Sequence, residues 1–349
     1  MAFNRKSTFS LLLLALGMLI CLPASAKKEY RYSVDRIWSN GTYSSFTSLV
    51  KYKGRFYCAF REGRGHVFDE NGKAEGKIRI ISSKNGKKWE SVLLTGLPDM
   101  DFRDPKLSVT PDGRLMVAIG VSVYVDRQLK AQIPYVCFSS DGQHFSDPQR
   151  CTIDSQADPK NDWIWRVTWH EGKGYAIDYF TSGSGRSGLW LLTTSDGVHY
   201  QKLCDLDVPD FPNEATVRFL PESGQMAIMV RRDAGDCMGY WATADAPYTK
   251  WEWKKMPMRL GGPDFVMLDD HKVIACSRCH HIPNHCTTSV YLGDAQTGRF
   301  EQRFVLPSGG DTSYPGMIIE GDELWISYYA GHESKWPCIY LARIPLGMF

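Results

Sequence analysis

From about residue 30 to the end of the chain, aromatic and β-branched runs of four to eight residues alternate with short clusters of Gly, Asp and Pro. Runs of that length bounded by turn residues read as strands. The three-to-four-residue spacing of an amphipathic helix is absent after residue 26. The pattern predicts an all-β protein.

The turns themselves repeat. Ser139-Ser140-Asp141-Gly142-Gln143-His144-Phe145 is a polar turn ending in an aromatic residue. The same turn stands 56 residues earlier as Ser83–Trp89 and 55 residues later as Thr194–Tyr200. A fixed period of this size marks a modular array. Strands are predicted at 48–52, 55–60, 77–82 and 90–95; at 106–110, 114–120, 133–139 and 150–153; and at 165–170, 173–180, 188–194 and 201–206. They continue at 215–220, 225–231, 238–243 and 252–256; at 264–268, 272–278, 288–293 and 301–306; and at 316–320, 323–329 and 338–343. Five units have four strands and the last has three. Tyr30–Trp38, a strand-like segment without a unit, can supply the missing one and so remove an exposed sheet edge. The expected architecture is a six-bladed β-propeller closed by its N-terminal strand. Five blades is the alternative, because third and fourth strands carry the weakest pattern.

Composition adds a leader and removes some partners. Arg5 and Lys6, the apolar run Phe9–Leu22 and the small residues Ala24-Ser25-Ala26 read as a cleavable secretory signal over 1–26. A single propeller domain over 27–349, periplasmic or secreted, is the expectation. Without Arg5 and Lys6 the chain carries 39 basic and 39 acidic residues. This balance gives no reason to expect nucleic acid, and no later run is long and apolar enough to span a bilayer. A monomer is expected. Nine of the ten cysteines follow the leader; an odd number leaves at least one thiol unpaired within the chain, and most read as small buried hydrophobes.

In an up-and-down blade, first-strand starts and second-strand ends share the edge near the central channel. The first-strand starts here include Ser44-Ser45-Phe46, Arg103-Asp104, Trp165-Arg166, Asn213-Glu214, Pro263-Asp264 and Ser313-Tyr314. Second-strand ends include Arg61-Glu62, Asp178-Tyr179, Arg231-Arg232, Arg278 and Tyr328-Tyr329. Arginines and carboxylates gathered at one mouth suit an anionic or polyhydroxylated ligand, although ion pairs tying blades together would leave the same trace.

The repeated turn resembles the Asp-box (BNR repeat) of the sialidase, or neuraminidase, superfamily, in a form one residue shorter. The order Glu214, Arg231 or Arg232, Arg278, Tyr314 is similar to the order of that family's site residues over its last three blades. The resemblance implies a retaining exo-glycosidase, needing no cofactor, with Tyr314 as nucleophile. Glu214 would be its base, and Arg231 and Arg278 would clamp a substrate carboxylate. A neutral phenol avoids the repulsion a carboxylate nucleophile would meet at an anomeric carbon bearing a carboxylate. The family's first arginine is missing: Ser45 stands in its place. Its acid, an aspartate in the loop after the second strand, has two candidates in that loop, Asp69 by position and His66 by chemistry. Arg61 or Arg103 could replace the lost clamp, and Asp104 and Arg166 complete the expected substrate-binding set. The partner implied is a glycan with a terminal, acidic sugar. A lyase or glycosidase working on another acidic sugar through His66, or a glycan-binding propeller without catalysis, are the alternatives.

Cys276-Ser277-Arg278-Cys279-His280-His281-Ile282-Pro283-Asn284-His285-Cys286 contains the C-x-x-C-H pattern of covalent haem attachment and enough ligands for zinc. It falls at a strand end without a second axial ligand, and adjacent ligands rarely converge on one tetrahedral ion. The expectation is a substrate-facing loop with His280 or His281 near the site, without metal, in which a disulfide is an option.

Overall fold

A computed structural model describes residues 31–154, 159–182, 185, 187–282 and 285–349. The leader read at 1–26 lies outside them, as do Tyr30 and the side chains of His281 to His285. The chain is an all-β propeller; among the described residues the one helical element is the short 3-10 turn Leu346–Met348.

The strands follow one another as antiparallel meanders. Tyr43–Tyr52, Arg55–Gly63, Lys77–Ser83 and Glu90–Thr95 form the first sheet. Pro212–Phe219, Met226–Arg232, Met238–Ala244 and Lys254–Arg259 form another, and Asp264–Met267, Lys272–Ile282, His285–Asp294 and Arg299–Leu306 a third. Thr312–Glu320, Glu323–Ala330 and Cys338–Pro345 are completed by Ser33–Trp38, which pairs antiparallel with Cys338–Pro345. The remaining nine strands make one sheet. It contains the meander Asp101–Val109, Leu115–Val125, Gln128–Ser139 with the short edge Gln149–Arg150, and the meander Pro159–His170, Lys173–Ser182, Ser187–Thr194, His199–Leu206. A single parallel bridge, Gln132 to Asn161, joins the two. The fourth strand expected at 150–153 is split: Thr152–Ile153 leaves its own meander and runs parallel to His199–Tyr200 of the next. Pro148, which has no N–H to give a ladder, precedes the split.

Apolar faces of successive meanders bury each other. Tyr57, Ile80, Phe102 and Val117 join the first meander to the second; Trp241, Phe265 and Tyr291 join later ones. The cluster of Phe56, Phe60, Trp325 and Leu341 joins the last meander to the first and reaches the axis through Phe46, Trp165 and Tyr314.

Five first strands carry a register shift near their start, at Ser45/Ser48, Arg103/Lys106, Ile164/Val167, Pro212/Ala215 and Ser313/Gly316. Such bulges re-aim side chains. At three of them a non-glycine residue is left-handed: Phe46 (φ 61°), Asp104 (φ 46°) and Tyr314 (φ 48°). The same local distortion, repeated around the axis, turns polar and aromatic side chains into one pit.

Candidate active site

The floor of the pit is built from residues a hundred positions apart. Tyr314 Oη donates to Glu214 Oε1 at 2.7 Å. Arg231 Nη1 donates both to Glu214 Oε2 (2.7 Å) and to Tyr314 Oη (2.9 Å). The backbone N–H of Gly262 donates to Glu214 Oε2 at 2.7 Å. Gly262 has φ 57°, and a Cβ there would lie 2.4 Å from the Tyr314 ring. Only glycine lets this backbone pass under the tyrosine and reach the carboxylate. Burial, and then the Glu214 charge, raises the Tyr314 phenol above its usual pKa, against the opposing pull of Arg231 and Arg278. At rest the phenol is therefore a neutral proton donor aimed at Glu214.

Arg278 stands on the other side of the tyrosine, its guanidinium 5.0 Å from the Tyr314 ring centre. It is held by Thr312 O (2.9 Å), Tyr329 Oη (2.7 Å) and Asp311 Oδ1 (2.7 Å). Asp311 is the hub of this side: Tyr329 Oη donates to Oδ1 at 2.8 Å, Tyr43 Oη donates to Oδ2, and His66 Nδ1 lies 2.7 Å from Oδ2. Burial by itself would raise the Asp311 pKa, but His66, Arg278 and Tyr43 together hold it below the usual carboxylate range. The His66 side chain remains 48% exposed, so this is a histidine–carboxylate dyad open to solvent. Phe46 packs edge-on against both His66 (5.3 Å) and Tyr314 (5.0 Å), connecting the two sides.

The other expected residues do not all reach the pit. Arg61 is fully buried and bonds Asp101 through Nε (2.8 Å) and Gly65 O through Nη1 (2.8 Å). Arg103 bonds Asp101 Oδ2 (2.9 Å) and His66 O (3.0 Å), and lies over the Phe46 ring at 4.9 Å. Through Asp101 these two arginines brace the loop that carries His66. Arg166 is buried on Asp264 at 3.2 Å and Pro315 O at 3.4 Å, a strut between strands. Asp69 is not brought to the pit. Its Oδ1 accepts from the N–H groups of Asn71 (2.9 Å) and Lys73 (2.8 Å) in its own turn. It lines a separate cavity of about 370 Å³ with Arg61, Glu62 and Arg64. Those backbone bonds, that of Lys73 first, lower its pKa.

Asp104 does reach the pit. It is 8% exposed, close to Glu214 and Tyr314 at 7% each, and its Oδ1 has no hydrogen-bond partner. Ser45 Oγ, where the resemblance puts an arginine, is also buried and unpartnered, as is Lys106 Nζ, which lies 4.3 Å from the Trp165 ring centre. Burial lowers the Lys106 pKa to about 8. Of the two arginines ending the second strand, Arg231 faces Tyr314. Arg232 points away to Asp210 (2.5 Å), Asp236 and Met238 O (2.7 Å). His280 sits beside the arginines; burial, then Arg259, Arg278 and Arg231, lowers its pKa to about 4. Its Nδ1 is 3.5 Å from Cys286 Sγ. Cys276, Cys279 and Cys286 are not joined in a disulfide. No group of three or more His, Cys, Asp or Glu among the described residues is arranged to hold a metal ion.

Three residues of this arrangement escape a reading of the sequence. Asp311 stands three positions before Tyr314 at a first-strand start, and could have been found by extending the list of polar starts. Asp233, which pairs with Arg231 at 2.9 Å, follows a second-strand end in the same way. Gly262 acts through its backbone, which leaves no signal beyond being a glycine. Chemically, the arrangement offers a phenol with an adjacent base, two arginines and a histidine–carboxylate dyad around one pit.

No family model and no curated protein matches the chain. Solved structures do. A protein of unknown function from Dyadobacter fermentans superposes with a TM-score of 0.77 at 19% identity, over 89% of this chain and 97% of the other. Trypanosoma rangeli sialidase gives 0.70 at 10% identity, over 91% of this chain and 60% of that protein, whose length this chain spans by about three fifths. Penicillium chrysogenum α-L-arabinanase gives 0.64 at 12%, over 87% and 94%. At these identities the likeness shows a shared propeller fold, on which glycoside hydrolases occur.

Proposed function

We propose that this chain is an exported, sialidase-like exo-glycosidase that removes a terminal acidic sugar from a glycan with retention of configuration. The observation that carries the reading is the 2.7 Å bond from Tyr314 Oη to Glu214 Oε1 between Arg231 and Arg278. We count the nine-stranded sheet as two blades, since a single bridge joins its meanders; the propeller then has six. Residues 27–349 are one secreted or periplasmic domain, acting as a monomer, left after removal of 1–26.

In the first step Glu214 takes the phenol proton as Tyr314 oxygen bonds the anomeric carbon, and the bond to the leaving oxygen breaks. Arg231, already donating to Tyr314 Oη, stabilises the charge that develops there. His66, oriented by Asp311 at Nδ1, gives the leaving oxygen its proton from Nε2. In the second step neutral His66 takes a proton from water, whose oxygen bonds the anomeric carbon. The bond to Tyr314 breaks and Glu214 returns the proton to the phenolate. His66 is preferred over Asp69 as acid because Asp69 is consumed in its own turn. Arg231 and Arg278 hold the substrate carboxylate with one cation fewer than the family resemblance implies, because Ser45 stands in place of the first arginine.

The test is release of free sugar from a panel of sialylated and uronic-acid glycans. Wild type releases sugar from at least one. Tyr314→Phe loses about 10³-fold or more in kcat with its fold intact, and His66→Ala loses about 10²-fold or more. Full activity in Tyr314→Phe would remove the nucleophile assignment, and no release from any glycan would remove the hydrolase. A second reading, a lyase on uronic-acid glycans, is favoured by the His66–Asp311 dyad. It would announce itself as an ultraviolet-absorbing unsaturated product in place of a free sugar.

A further inference from the structure

Beside the pit, a cavity of about 260 Å³ is lined by Glu214, Arg231 and Asp233 at one end and by Tyr179, Thr181 and Phe211 elsewhere. Phe211 is 56% exposed, the most exposed large hydrophobic side chain among the described residues. Its backbone is left-handed (φ 57°), as is that of Asp210 (φ 63°). An aromatic residue is a conformational outlier there, and such strain persists only where surroundings enforce it. They do so here. Asp233 N and Asn213 Nδ2 donate to Phe211 O at 3.2 and 3.3 Å. Ala234 N donates to Asp210 O at 3.1 Å, and Arg232 Nη1 bonds Asp210 Oδ2 at 2.5 Å. All of these tethers but that of Asn213 come from the strand end that presents Arg231, so the backbone carrying the exposed ring is held against that strand end.

We infer that Phe211 is a stacking platform for the second sugar of the glycan, on the leaving-group side of the bond that is cut. An aromatic plate bordered by amide, hydroxyl and carboxylate groups matches a pyranose ring, which has an apolar C–H face and hydroxyls around its edge. The assignment rests on the exo-glycosidase reading in one respect: in an exo enzyme only the terminal unit sits over Tyr314, so a unit beside it belongs to the leaving group. Arg232, which has no role at Tyr314, acquires one as a brace for Asp210.

The experiment compares wild type with Phe211→Asn, which removes the ring but tolerates the left-handed backbone, and with Phe211→Tyr. Thermal unfolding verifies that each is folded. On an oligosaccharide from the panel that wild type cleaves, Phe211→Asn raises KM about three- to tenfold with kcat little changed, the scale of one aromatic contact, and Phe211→Tyr stays near wild type. On the glycosyl fluoride of the same terminal sugar, which has no second unit, all three proteins act alike. Equal losses on both substrates, or no loss on the oligosaccharide, overturn the platform while leaving the hydrolase intact. If wild type cleaves nothing, the hydrolase reading fails by itself, and calorimetric binding of the same oligosaccharides decides the platform. Weaker binding by Phe211→Asn than by Phe211→Tyr supports it; equal binding, or no binding by wild type, overturns it.

Discussion

At the scale of single residues, Gly262 and His280 test the pit from opposite sides. Gly262 gives a backbone N–H to Glu214 while its missing side chain makes room for Tyr314. In Gly262→Ala the added Cβ meets the Tyr314 ring in a left-handed conformation. The ring must move and the Tyr314–Glu214 bond lengthens. We expect a destabilisation of about 1–3 kcal/mol and a fall in kcat of roughly 10²-fold from the misplaced nucleophile, measured by denaturant unfolding and sugar release. Activity near wild type would show that the close approach is unimportant. His280 tests the cationic side. Its folded pKa of about 4 lies below the unfolded value of about 6.5. Between these values the unfolded chain binds the proton and the folded chain does not, so stability decreases as pH falls from about 6.5 to 4. Urea unfolding of His280→Gln at pH 7 and pH 4.5 should show a smaller decrease than wild type; the same decrease would mean that His280 titrates normally.

At the scale of the element, the repeated polar turn sets the spacing between neighbouring meanders. In the second unit Gly142 N donates to Ser139 Oγ at 2.8 Å, while Asp141 Oδ1 accepts from Gln143 N and His144 N at 2.8 Å each. The third unit repeats the set with Thr194, Asp196 and Gly197. The turn glycine, folded left-handed, rests on the neighbouring meander: Gly86 on Trp325, Gly142 on Tyr57, Gly197 on Met116. Each turn is thus a spacer set against the second strand of the preceding unit. A Cβ at Gly142 would lie 2.0 Å from the buried Tyr57 hydroxyl. Gly142→Ala should therefore cost about 2–3 kcal/mol in denaturant unfolding, and Gly142→Ala in a Tyr57→Phe background should cost less, because the clashing oxygen is gone. Additive costs in the two variants would break the link between turn and neighbour. This also explains what could be read from the chain. Turns and alternating strands are local, and the strand order 48–52, 55–60, 77–82, 90–95 reappears in the structure with ends moved by a few residues. The 150–153 strand crosses to its neighbour, a choice made by tertiary pairing. Glu214 and Tyr314 were placed by the order of residues in a resembling family; their contact, a hundred residues apart, had no local trace. Asp311, Asp233 and Gly262 work through geometry that only the closed ring creates.

At the scale of the whole molecule, the pit exists because the ring is held shut. Tyr314 belongs to the last meander and Phe46 to the first, and their contact closes the site. The strand Ser33–Trp38 is the tie between them. It pairs along Cys338–Pro345, and Asp35 accepts from Arg343 Nη1 at 2.7 Å. At its end Trp38 Nε1 donates to Glu62 Oε1 of the first meander at 2.8 Å, under the Arg79 guanidinium at 5.2 Å. Losing this strand leaves Cys338–Pro345 as an open edge, free to pair with another copy. A chain beginning at Ser39 should lose about 3–6 kcal/mol, from several unmade backbone hydrogen bonds and re-exposed apolar surface, and melt roughly 5–15 °C lower. It should also associate with rising concentration in size-exclusion chromatography. Trp38→Ala separates the two duties of the strand. It keeps the edge covered but cuts the link to Glu62, so it should lower the melting point without promoting association. If the truncated chain melts within about 2 °C of wild type and elutes identically, contacts between the faces of the first and last meanders suffice to close the ring. The strand would then be an ornament of the last sheet, and the alignment of Tyr314 with Phe46 would have to be credited to the buried cluster around Trp325 and Phe56.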